Sequence, residues 1–267
     1  MAALLTGAAA ASADVDLSDG GYSFTWSPGS AGDSLLGDAS AELTGPSGRD
    51  DLYELDWAYR LPGQSFTTGL VDPVSEQSNG NSGSASFSQD GLDFMVNYTL
   101  TDTSAGGNHS ATLTNALTIS NSGTAPVVLT LFAYLDADLN DSSGNDSATY
   151  AASATESAMT IVDHLPNSQA QAMWIADLAD VFEIDEFSDL RNNLTDTPGY
   201  TLSNSGSPFP GGGEVSDDFT GAYQWTLTIN GGHSLTINSR FETFIPTPGG
   251  LALLGSAGLL GLRRRRH

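Results

Sequence analysis

Strict alternation of apolar and polar side chains recurs along this chain. A two-residue period is satisfied only by extended backbone with one face buried. Tyr53, Leu55, Trp57, Tyr59 and Leu61 fall on one face of a segment whose other face carries Glu54, Asp56, Ala58 and Arg60. Leu92, Phe94, Val96, Tyr98 and Leu100 alternate with Asp93, Met95, Asn97, Thr99 and Thr101, and Leu113, Leu117 and Ile119 alternate with threonines and serines. Val127–Leu135 is apolar on both faces, which predicts a strand covered on both sides. Tyr223, Trp225, Leu227 and Ile229 precede Asn230-Gly231-Gly232-His233, and Leu235, Ile237 and Phe241 follow. Asn-Gly between two alternating runs predicts a β-hairpin. Further strands are expected at Tyr22–Trp26, Ser84–Ser88, Ala148–Ser153, Thr160–His164 and Ala172–Ala176.

A partial 3.6-residue period over Asp177–Leu194 predicts the one helical excursion, with acidic residues at its start. No fixed-period repeat is present, which argues against a propeller or solenoid. The expected fold class is all-β: an antiparallel two-sheet β-sandwich with one short helix, spanning residues 14–244 as one domain.

Composition removes much chemistry. The 267 residues include no cysteine and no lysine, so disulfides, thiolate nucleophiles, Cys-ligated metals and Schiff bases are excluded. Net charge is 8 − 32 = −24, which opposes binding to nucleic acid because phosphate contacts need clustered basic residues. No serine lies in a Gly-x-Ser-x-Gly elbow, and His109, His164 and His233 are scattered in different segments. No catalytic motif is present, so no catalytic residue is assigned and the protein is expected to be non-enzymatic. A carboxylate pair remains open, since 32 acidic residues make chance pairs abundant. Trp26, Trp57, Trp174 and Trp225 fit core packing better than a sugar-stacking platform, because three of them sit on alternating apolar faces.

One acidic loop stands out. Asp136, Asp138, Asn140, Asp141 and Asp146 follow the strand Val127–Leu135, and the spacing i, i+2, i+4 directs hard oxygen ligands toward one point. No motif requires a cofactor; Ca²⁺ is the ion this loop would take. The start matches D-x-D-x-N, but Gly144 comes late and Ser147 stands where a bidentate glutamate is needed. The alternative is a solvated acidic turn built from turn-favouring Asp and Asn.

The two ends carry sorting signals. Residues 1–13 form an apolar, small-residue run ending in Ala11-Ser12-Ala13, the A-x-A pattern of signal-peptide cleavage with Ala11 and Ala13 at the small positions. At the other end Ile245-Pro246-Thr247-Pro248 precedes an uncharged run, Gly249–Leu262, and then Arg263, Arg264, Arg265 and Arg266. Such a run spans only about 21 Å of helix against a hydrocarbon core of about 30 Å, but its position after a double-proline break and before a stop-transfer arginine cluster predicts a membrane segment whose arginines stay cytoplasmic.

Residues 245–267 resemble the PEP-CTERM sorting signal, with Thr247 where that signal usually has glutamate. The alternative is an ordinary single-pass tail anchor. The resemblance implies export across the inner membrane of a Gram-negative bacterium, processing by an exosortase-type enzyme, transient membrane residence through the tail, and delivery to the cell surface or biofilm matrix. The leading expectation is a non-enzymatic surface or matrix protein. Alternatives are a secreted carbohydrate-binding module for exopolysaccharide, assisted by calcium, and a secreted glycan hydrolase or lyase.

Overall fold

The computed structural model describes residues 14–29, 40–106, 108–165, 168, 170–209 and 218–245. The expected signal peptide at residues 1–13, Pro246–Pro248, the expected sorting helix and Arg263–Arg266 lie outside the described residues. Among the described residues, no helix is long and apolar enough to cross a membrane.

Among the described residues the fold is antiparallel β with one helix. Its strands are β1 (Val15–Asp19), β2 (Tyr22–Ser27), β3 (Ser40–Thr44), β4 (Glu54–Arg60), β5 (Thr68–Gly69), β6 (Ser75–Asn79), β7 (Ser82–Gln89) and β8 (Leu92–Asp102). They continue with β9 (His109–Asn121), β10 (Val127–Asp136), β11 (Asp146–Ala152), β12 (Glu156–Asp163), β13 (Gln171–Asp177) and β14 (Val181–Glu186). Helix α1 (Phe187–Asp196) follows, then β15 (Phe219–Ile229) and β16 (His233–Ile245). Every strand expected from alternation is present.

The strands form three sheets rather than the expected two. Their orders are β1-β2-β3, β14-β15-β10-β4-β5 and β11-β12-β13-β16-β9-β8-β7-β6. The third sheet arises because β1–β3 carry their own apolar face, Val15, Leu17, Phe24, Trp26 and Leu43, and lay it on β6–β8. Phe24 and Trp26 meet Tyr98 at ring centroid distances of 5.3 and 5.4 Å.

The five- and eight-stranded sheets face each other across a shared core. Tyr59 of β4 stacks on Phe94 of β8 at 4.9 Å, and Trp174 of β13 meets Tyr223 of β15 at 4.3 Å. Trp57 donates its indole N–H to Asn115 Oδ1 at 2.9 Å, both groups being buried. Asn115 shares the inward face of Leu113, Leu117 and Ile119, so the polar position in that apolar run is used as an inter-sheet hydrogen bond.

Two expectations are corrected. The Asn230-Gly231 turn does not close a hairpin. β15 pairs with β10 and β14, whereas β16 pairs with β13 and β9, so the turn carries the chain from one sheet to the other. A type I′ hairpin turn needs positive φ at both central residues. Asn230 is not among the positive-φ residues described. A Cβ on Gly231 would sit 2.4 Å from the Thr124 carbonyl carbon, so the turn packs backbone against backbone on the loop after β9.

The helix is also shorter than expected. Val181–Glu186 is strand β14, paired along β15, and only Phe187–Asp196 is helical. Phe182 and Ile184 point to the main core while Glu183, on the other face, is covered by Tyr200; this alternation is only four residues long and is overlaid in sequence by the helical spacing of Leu178, Val181, Phe182 and Asp185. The helix buries Leu190 and Leu194 with Ala58, Phe132, Tyr134 and Ala222, covering the second face of β10 as its apolar sequence requires.

Candidate functional site

The outer face of the eight-stranded sheet is built from the polar half of each alternating strand. β9 contributes Ser110, Thr112, Thr114, Thr118 and Ser120, and β16 contributes Ser234, Thr236, Asn238, Arg240, Glu242 and Phe244. Hydroxyls bond across the strands, Thr118 to Thr236 at 2.9 Å and Ser120 to Ser234 at 2.8 Å. Large apolar side chains also reach solvent here, namely Met95, Met173 and Phe244.

At the centre, Arg240 donates from Nη1 to Glu156 Oε1 at 2.9 Å and from Nε to Glu242 Oε1 at 2.8 Å. The two glutamates raise the affinity of the guanidinium for its proton, Glu156 by the larger hydrogen bond. All three side chains are more than a third exposed, so the array contributes little to stability. Its placement is the notable feature. A concavity of about 270 Å³ lies on one side, lined by Glu156, Asp177, Asn238 and Arg240. Another of about 300 Å³ adjoins it, lined by Thr112, Thr160, Gln171, Met173, Glu242 and Phe244.

A second cluster gathers where strand ends of the two larger sheets meet. Asp136 ends β10 and pairs in register with Thr220 and Glu54; Asp146 begins β11 and pairs with Asp163. Asp136, Asp138 and Asp218 each offer a carboxylate oxygen within 4.8 Å of the others. Burial raises the Asp136 and Asp138 carboxyls, with Asp218 and Asp138 adding to it at Asp136 and Asp141 at Asp138. Burial, then Asp163, Asp138 and Asp218, push Asp146 up to about 9, and burial with Asp138 pushes Asp218 up to about 7.

The loop expected to bind calcium is therefore divided. Asp136 and Asp138 converge, and Asp146 lies in the same field. Asn140 turns away, its Oδ1 accepting from Arg49 Nη1 at 2.5 Å. Asp141 is exposed, and its backbone N–H donates to Asp50 O at 2.7 Å. Both adopt a φ of 64°, which curls the loop toward the β3–β4 connection. Sequence spacing could not reveal Asp218, which arrives immediately before β15, the strand paired with β10. The four tryptophans are buried, so none offers a stacking surface.

No protein-family model matches the chain, and no curated protein matches it in sequence. Solved structures do share its fold. A galactose mutarotase related enzyme from Lactobacillus acidophilus superposes with a TM-score of 0.51 at 6% identity, covering 88% of this chain and 98% of its own. A bacterial glucoamylase complexed with acarbose gives 0.49 at 10% identity, covering 89% of this chain and 32% of its own. A polysaccharide lyase gives 0.46 at 10% identity, covering 85% and 33%. This chain thus spans about a third of the lyase and of the glucoamylase. The expectation of a protein without enzymatic activity is corrected here, because the fold this chain shares with the galactose mutarotase related enzyme is one that supports catalysis. Glu156 and Glu242 come from separate strands, β12 and β16, so no motif of short fixed spacing could bring them together.

Proposed function

We propose that the protein is a carbohydrate-active enzyme that processes a neutral glycan on the outer face of the eight-stranded sheet. The observation that carries this reading is the Glu156–Arg240–Glu242 array set between two adjoining concavities. In glycosidic hydrolysis one carboxyl protonates the departing oxygen and the other activates water. Glu156 and Glu242, joined through one guanidinium, are the pair assigned to those roles. The surrounding Thr, Asn and Gln side chains supply donors and acceptors for sugar hydroxyls, while Met173 and Phe244 supply apolar contact for C–H faces.

Charge selects the substrate class. The titratable side chains lining the two concavities are Glu156, Asp177, Glu242 and Arg240, for a local charge of 1 − 3 = −2. With −24 on the whole chain, a uronate-rich polymer is repelled. The proposal takes the protein as exported and processed by an exosortase-type enzyme, supported by the sequence resemblance at Ile245–His267, with neutral exopolysaccharide as the substrate met outside the inner membrane.

The test is reducing-end release from a panel of neutral and uronate-containing polysaccharides. The wild-type protein should act on a neutral member. Glu156→Gln and Glu242→Gln should each lower turnover at least about 100-fold, as expected for loss of an acid or base. Wild-type turnover by the double variant, or action confined to uronate polymers, would overturn the reading.

A further inference from the structure

We propose that Asp136, Asp138 and Asp218 form a Ca²⁺ site that ties the end of β10 to the entry of β15. This site is remote in role from the glycan face and does not depend on it. Two oxygens on opposite sides of one Ca²⁺ stand about 5 Å apart at ordinary Ca–O distances. The mutual 4.8 Å reach of Asp136, Asp138 and Asp218 therefore fits a shared ion.

The second observation is unpartnered buried oxygen. Asp136 is 2% exposed and its Oδ1 has no hydrogen-bond partner; Asp146 is fully buried and neither of its oxygens has one. Asp218 Oδ1 is likewise buried and unpartnered. Among the described residues no salt bridge reaches Asp136, Asp138 or Asp218. The nearby guanidiniums are otherwise engaged, Arg191 with Glu54 and Arg49 with Asn140. Buried carboxylates without a cation are costly, and a hard divalent ion supplies the missing charge and contacts together.

Donor chemistry selects the ion. The set is all oxygen, which suits Ca²⁺ or Mg²⁺ and disfavours softer metals. Mg²⁺ keeps several waters and demands octahedral geometry, whereas Ca²⁺ accepts an irregular shell of carboxylates. The site also differs from a D-x-D-x-N loop. Its ligands come from two distant places in the chain, Asp136 and Asp138 after β10 and Asp218 before β15, so the ion acts as a staple between strand ends.

The experiment uses the full chain, stripped with chelator, titrated with CaCl₂ or MgCl₂ in a calorimeter and melted with each. One Ca²⁺ should bind per chain. At 100 times the dissociation constant it should raise Tm by about 5–10 °C, with a smaller rise in equal Mg²⁺. Asp136→Asn and Asp218→Asn should raise Tm in chelator, by removing repulsion, and should abolish the calcium response. Asp189→Asn, on the exposed side of α1, should change neither. Absence of calcium heat together with equal stabilisation by both ions would overturn the proposal. A calcium response that survives both cluster substitutions would do the same.

Discussion

The crossing of the chain between sheets at Asn230-Gly231-Gly232 depends on a residue outside the turn. Asn121, at the end of β9, is 3% exposed. Its Nδ2 donates to Ala125 O at 2.8 Å and to Ile229 O at 2.9 Å, and its Oδ1 accepts from Gly123 N at 3.0 Å. Its backbone oxygen accepts from Gly232 N at 2.8 Å. One side chain thus joins the end of β9, the loop after it and the end of β15.

Asn121→Ala removes the three side-chain bonds and leaves buried backbone groups without partners. At about 0.5–1.5 kcal/mol net per bond, the loss is about 2–4 kcal/mol. For a chain of this length that lowers Tm by about 5–12 °C. Asn230→Ala, at the exposed position the sequence marks as the hairpin residue, should stay within about 0.5 kcal/mol. Urea unfolding of the two variants, with Cm and m fitted separately, reads the difference. A larger loss at Asn230 than at Asn121 would refute the crossing and restore the hairpin.

Two further outcomes follow from local geometry. Gly206 has a φ of 87° and an added Cβ would lie 1.7 Å from Ile184 O, so Gly206→Ala should cost at least about 2 kcal/mol in urea unfolding, whereas Gly48→Ala, with a φ of 73° but open space, should cost about 1. Burial pushes Asp50 up to about 6, against hydrogen bonds from Leu52 and Leu43 that lower it. The folded state therefore binds the proton more tightly than the unfolded state, and this group's contribution falls as pH rises from about 4 to about 6. Asp50→Asn should flatten the stability–pH slope in that window; an unchanged or steeper slope would show that the carboxyl does not titrate there.

The strands were legible because burial on one face of extended chain writes a two-residue period directly into Leu92–Leu100 and Leu113–Ile119. Sheet membership was not. Asn230-Gly231 satisfies the hairpin pattern in sequence, and the long-range contacts with Thr124 and Asn121 divert it. β14 reads as helix because its alternation, Phe182-Glu183-Ile184-Asp185, is only four residues long and is overlaid by the 3.6-residue spacing of Leu178, Val181, Phe182 and Asp185. At the sites, short-range spacing marked Asp136 and Asp138 but also Asn140 and Asp141, which the left-handed turn rotates away. Glu156 and Arg240 are separated by 84 positions, and Asp218 is equally remote from Asp136, so long-range strand pairing alone brings those groups together.

The most direct test of the glycan-face reading is amide hydrogen exchange, read by mass spectrometry on the Glu156→Gln/Glu242→Gln double variant with and without a neutral oligosaccharide that the wild-type protein turns over. Peptides from β12, β13 and β16 should slow in exchange, centred on Glu156, Met173 and Arg240–Phe244, while β1–β3 and α1 stay unchanged. Protection confined to β1–β3, to α1 or to the Asp136–Asp146 loop would contradict it.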